Sequence, residues 1–171
     1  MVTAVTAALM LTVGMPLAMR DAAIQARAYA PTWDRAANIN DAAERLAKLH
    51  QRQGSQGVLK FLDACYRTHL LSSTFNEGVE ACLAQDYIHA QTLATIYARL
   101  PPQARQQRGL PAPELISQGM QQRLITTFRQ YKISPEEAVV FQKLVEKHGL
   151  SVFLKAVFPD TDTKSAKPAE K

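Results

Sequence analysis

Both cysteines of the chain, Cys65 and Cys82, flank one short run of turn-forming residues, SSTFNEG at 72–78. On the N-terminal side, Val58, Leu62, Cys65 and His69 recur at helical spacing and share one stripe of a helix over 56–71. On the C-terminal side, a helix over 76–100 carries Val79, Cys82, Leu83, Asp86, Ala90, Leu93, Tyr97 and Leu100 on its inner stripe, and Pro101-Pro102 ends it. The turn centre falls near residue 73 or 74, almost equidistant from the two cysteines. In an antiparallel helical hairpin, residues equidistant from the turn face each other at one level. The pattern therefore predicts a Cys65–Cys82 disulfide, which stabilises the fold by about 3 kcal/mol through loop closure.

The other helices are read from their ends. Asp41 and Glu44 form a capping box for a helix over 41–53, with Leu46 and Leu49 inward and Gly54 as its stop; Thr74 and Glu77 offer a second box. After the proline- and arginine-rich connection PPQARQQRGLPAP, Pro113 opens a helix whose apolar face is Ile116, Met120, Leu124, Phe128 and Tyr131. Ser134-Pro135-Glu136-Glu137 combines an N-cap, a first-turn proline and a capping box, with Ile133 as staple and Ala138, Phe141, Leu144 and Val145 facing inward. His148-Gly149-Leu150 reads as a glycine C-cap, and SVFLKAVFP as a short sixth helix, apolar nearly all round and therefore central or interfacial. The segments around Gly54 and Gly149 resemble each other as two helix-turn-helix corners. With 47% apolar residues, 7% aromatics and no alternating β-branched run, the expected fold is all-α: five to six helices in a compact bundle built around the disulfide-linked hairpin.

Residues 2–19 contain no charge, and ARAYAPTW offers a small-x-small site ending at Ala30. The chain thus divides into a signal peptide or apolar targeting segment at 1–30, a single helical domain at 31–158 and a disordered tail at 159–171, whose composition is almost devoid of apolar residues. The expected location is periplasmic or secreted, which suits a single cysteine pair. The alternative is a membrane anchor through residues 2–19 if they remain uncleaved.

Three sets of residues are candidates for function. Cys65-x3-His69 and Cys82-x3-Asp86-x2-His89 have ligand-like spacing. Hairpin geometry, however, sets His69 toward the turn and His89 away from it, about 16 Å apart at 1.5 Å per residue. They cannot share one ion, and no metal or other cofactor is expected, although Cys65 and Cys82 with either His69 or Asp86 remain a conceivable partial set. Asp86 and His89, spaced i, i+3, form an acid–imidazole pair, so Asp86, His89 and His69 are the candidates for a small exported hydrolase. Asp86 is also an acid within an apolar stripe, which nothing in the sequence explains.

The charge is the third set. Arg99, Arg105, Arg108, Arg123, Arg129 and Lys132 are opposed between 99 and 132 by Glu114 alone, and account for the formal net charge of +5. Such a segment attracts polyanions. No aromatics interleave with it, so it lacks a base-stacking signature, and the apolar sixth helix offers little to a DNA groove as the second helix of a DNA-binding helix-turn-helix. The function expected from these observations is a non-catalytic exported helical module that binds a protein or an anionic partner. The alternatives are the hydrolase and a nucleic-acid-binding protein using the 99–132 segment.

Overall fold

The computed structural model describes residues 31–159. Among them every regular element is helical: α1 (Arg35–His69), α2 (Glu77–Ala98), α3 (Pro102–Gln107), α4 (Pro113–Gln130), α5 (Pro135–Val145) and α6 (Ser151–Val157), with a π-helical turn at Glu146–Leu150 between the last two. The bundle is all-α, as its hydrophobic periodicity predicts. The proposed targeting segment 1–30 and most of the tail, 160–171, lie outside the described residues.

α1 begins six residues before the predicted start. Asp34, rather than Asp41, is the N-cap, its carboxylate accepting from the Ala37 amide at 3.1 Å. The earlier start brings Ile39 into the core, where it is fully buried. At Gly54 the backbone turns to φ 64°, ψ −170°, so α1 consists of two limbs joined by a kink. Gly54 thus ends the first limb by adopting a left-handed conformation open to glycine.

The turn after α1 closes with the Ser72 hydroxyl donating to the Thr74 carbonyl at 2.8 Å. Asn76, not Thr74, caps α2 by accepting from the Val79 amide at 3.1 Å. α2 is the central helix: every residue from Val79 to Ala90 is buried. The predicted single inner stripe understates this burial, because α1, α4 and α5 all pack on α2 from different sides. A helix enclosed this way must be apolar nearly all round, and the four polar exceptions within 79–90, Glu80, Gln85, Asp86 and His89, each need an account.

α4 buries the predicted face, with Met120, Leu124 and Phe128 inside and Ile116 and Tyr131 at its edges. Phe128 meets Phe75 and Phe141 edge-on, with ring centroids 5.5 and 5.7 Å away. α3 forms within the connection expected to be a loop. Arg105 there donates to the Tyr97 and Leu100 carbonyls at 3.0 and 2.8 Å, satisfying acceptors at the end of α2.

The predicted C-cap at Gly149 does not form. The helix runs on through the π-helical turn into α6, so there is no helix-turn-helix corner here and no DNA-reading motif of that kind. Gly149 instead provides space: a Cβ there would come within 2.9 Å of Ile88 Cδ1 and 3.0 Å of Ile39 Cγ2. The Tyr87 hydroxyl donates to Glu146 Oε1 at 2.6 Å and fixes the turn against α2. α6 is peripheral rather than central. It buries Phe153, leaves Leu154 exposed, and packs on α1, where Gln51 donates to the Ala156 carbonyl at 2.8 Å.

Candidate functional site

Three buried polar side chains of α2, Asp86, Glu80 and Gln85, are satisfied from outside the helix. Asp86 is buried, and its two carboxylate oxygens take a bidentate pair from Arg123 on α4, Nε to Oδ2 at 2.7 Å and Nη2 to Oδ1 at 2.8 Å. The Tyr66 hydroxyl on α1 donates to Oδ2 at 2.8 Å. One carboxylate therefore ties three helices together, which explains the acid within the apolar stripe. Burial first, then the adjacent Asp86 charge, holds Tyr66 well above its ordinary pKa, so the phenol stays a donor. The hydrogen bond to Asp86 raises the Arg123 pKa, with burial opposing it. A bidentate guanidinium–carboxylate pair is directional as well as strong, and it fixes the register of α4 on α2.

Glu80 is a second buried acid on α2, and no local sequence pattern marks it. Its carboxylate is fully buried and accepts from Trp33 Nε1 at 2.6 Å, Arg35 Nε at 2.5 Å and Asn38 Nδ2 at 3.1 Å. It pins the start of α1 to the start of α2. Its donors are 42 to 47 residues away in sequence, so no local pattern reveals the network. The residual signal was the apolar character of α2 on all sides, which implies that any acid in it must be paired. Gln85 follows the same rule, donating to the Ala42 carbonyl at 3.0 Å.

His89 is 3% exposed, and its Nε2 has no hydrogen-bond partner among the described residues. Burial, then repulsion from His50, lowers its pKa to about 4, with Asp86 acting weakly in the opposite direction. At neutral pH it is an uncharged core imidazole. Of the candidate catalytic residues, Asp86 is engaged by Arg123 and Tyr66, His89 is enclosed in the core, and His69 lies beside the Cys65 and Cys82 sulfurs.

The predicted disulfide is present, joining Cys65 and Cys82 with Cα atoms 5.8 Å apart. Cys82 is buried and Cys65 partly exposed. The expected position of His69 needs correction. Its backbone position lies turnward of the disulfide, but a ligand atom of its ring lies within 4.8 Å of both sulfurs. Side chains on a helix lean toward its N-terminus, so the ring four residues after Cys65 returns to the cysteine layer. Gly78 on α2 makes room for it, since a Cβ there would collide with the imidazole. Cys65 and His69 border a depression of about 440 Å³ that Asp41, Arg45 and Glu77 also line, with the Cys82 sulfur buried behind them. His89, seven residues beyond Cys82, remains about 10 Å further along α2 and outside this set.

The six candidate cations separate into different roles. Arg123 and Arg105 are hydrogen-bonded within the bundle, Arg123 while remaining half-exposed, and Arg99, Arg108, Arg129 and Lys132 are exposed. α2 and α4 are antiparallel, as the Phe75–Phe128 and Asp86–Arg123 contacts show. Arg129 therefore lies level with the start of α2 and Arg99 at its far end, about 30 Å away at 1.5 Å per residue. The exposed charge is divided between the two ends of the bundle.

A cleft of about 240 Å³ opens between the second half of α2 and the π-turn with α6. Thr92, Thr95, Ile96, Leu150 and Leu154 line it, with Arg99 as the charged lining side chain. No family model, curated protein or solved structure matches this chain.

Proposed function

We propose that the chain is an exported, disulfide-stapled helical module that binds a partner through the cleft between α2 and α6. The observation that carries this reading is the engagement of Asp86. Both oxygens of the strongest acid–base candidate are taken up by Arg123 and Tyr66, so the polar constellation of α2 serves packing. The disulfide favours an oxidising compartment, and no helix among the described residues is long and apolar enough to cross a membrane. A periplasmic or secreted location after cleavage near Ala30 belongs to the same proposal.

The cleft is mostly apolar, has one guanidinium at its lining, and is flanked by the exposed side chains of Ile96 and Leu154. Its chemistry fits an apolar peptide segment that carries an acidic group. A photo-crosslinking residue at position 96, in cells producing the protein, is expected to give a discrete adduct that Arg99→Glu weakens. The same probe at Val139, exposed on α5, is expected to give none. Mass spectrometry without reduction should find a mature start at Pro31 and a mass lower by two hydrogens. An absent adduct at position 96, or one indifferent to Arg99→Glu, overturns the binding assignment.

The hydrolase and nucleic-acid readings have less support. The first needs an accessible Asp86–His89 pair or a reactive His69, whereas Asp86 is held by Arg123 and Tyr66 and His89 is buried; the second needs one basic face.

A further inference from the structure

We propose that the hairpin has a second, reduced state in which Cys65, Cys82 and His69 bind one Zn²⁺ ion. Two thiolates and an imidazole are a zinc-binding donor set, and all three ligand atoms already lie within 4.8 Å of one another. A tetrahedral ion, with Zn–S near 2.3 Å and Zn–N near 2.0 Å, needs its sulfurs about 3.8 Å apart and its nitrogen and sulfurs about 3.5 Å apart. From a disulfide, the sulfurs must part by roughly 1.7 Å, which side-chain rotation on Cα atoms 5.8 Å apart supplies without moving the helices.

Two features distinguish this layer from a plain staple. The ring nitrogens of His69 have no hydrogen-bond partner among the described residues, so the imidazole is not engaged in another role. Gly78 keeps space for the ring against the sulfurs on the facing helix. The site is also reachable: the depression of about 440 Å³, lined by Cys65 and His69, leads to it, and a water entering there completes fourfold coordination. Zinc with two thiolates is neutral overall, so burying the Cys82 sulfur in this form avoids the penalty of a bare buried thiolate.

The interconversion is thiol–disulfide exchange with a dithiol reductant. The Cys65–Cys82 bond breaks, an S–S bond forms in the reductant, and two electrons and two protons pass to the cysteines. Zinc then displaces both thiol protons. A disulfide oxidant reverses the exchange and releases the ion. The staple thereby becomes a redox-gated metal site.

The test uses the full chain, reduced with an immobilised phosphine that is then removed, and titrated with Zn²⁺ against a chromophoric chelator. Co²⁺ as a stand-in reports thiolate-to-metal charge transfer and tetrahedral d–d bands. The dithiol protein is expected to bind one equivalent and the disulfide protein none. His69→Ala should weaken binding at least about tenfold, the least that losing even an outer-shell partner costs a metal site. Gly78→Ala, which displaces the ring while leaving both cysteines in place, should weaken it too. If the dithiol chain loses helical circular dichroism without metal, zinc should restore it. A folded dithiol protein that takes no zinc overturns the proposal. So does a dithiol chain that zinc cannot refold, or a His69→Ala variant with unchanged affinity, which would mark adventitious binding by the thiolates alone.

Discussion

His89 makes the stability of this protein depend on pH in a way that a single substitution can isolate. Its imidazole is buried, repelled by His50 and held at a pKa of about 4, against 6.5 for the free side chain. Above pH 6.5 the ring is neutral in both the folded and the unfolded chain, and it contributes no pH dependence. As pH falls from 6.5 toward 4, the unfolded chain takes up a proton that the folded chain refuses, and stability falls. Below about 4 both states are protonated and the loss levels off. A separation of this size, at 1.36 kcal/mol per pKa unit, corresponds to about 3 kcal/mol lost between pH 7 and pH 4.

Other groups titrate over the same range, so the informative quantity is a difference. Urea unfolding followed by circular dichroism, at several pH values from 7 to 4, is compared between the wild type and His89→Leu. The variant removes the titration and also the unpartnered buried Nε2, which itself costs roughly 1–3 kcal/mol. His89→Leu is therefore expected to equal or exceed the wild type at pH 7 and to gain about 3 kcal/mol on it by pH 4. Parallel loss of stability in the two proteins, or an NMR titration of the His89 ring with a midpoint near 6.5, would refute the reasoning.

Three further outcomes follow from the buried contacts. Asp86→Asn should destabilise the bundle by about 2–3 kcal/mol in the same urea assay, below the range for fully buried pairs because the Arg123 side chain is 49% exposed. Glu80→Ala should cost about 3–5 kcal/mol, since it strands the Trp33 donor, leaves Asn38 only the Glu77 carbonyl and removes a fully buried, paired carboxylate. Tryptophan fluorescence of Trp33 should red-shift as the start of α1 detaches. Gly149→Ala should lower the thermal midpoint by an amount equivalent to about 1–3 kcal/mol, because its Cβ meets Ile88 and Ile39 in a closed part of the core. An Ala variant as stable as the wild type would refute the packing role of Gly149.

Hairpin symmetry about residues 72–78, read from the sequence alone, was enough to pair Cys65 with Cys82, because two helices leaving one turn must bring equidistant residues to one level. Periodicity likewise determined the inward faces of α4 and α5, and Pro113 and Pro135 marked their first turns, since both signals are local to one helix. The tertiary structure decided everything that depends on what a residue meets across the fold. Asp34 rather than Asp41 starts α1 because Ile39 and the donors to Glu80 are needed at the core. Gly149 opens no turn, since the space it leaves is filled by Ile88 and Ile39. Asp86 looked like chemistry until Arg123, 37 residues away, and Tyr66 accounted for its oxygens. His69 looked distant from the disulfide until the lean of its side chain and the gap at Gly78 brought it to the sulfurs. Spacing along a helix fixes which residues share a face, but the partners of a buried polar group come from other helices, and only their packing determines them.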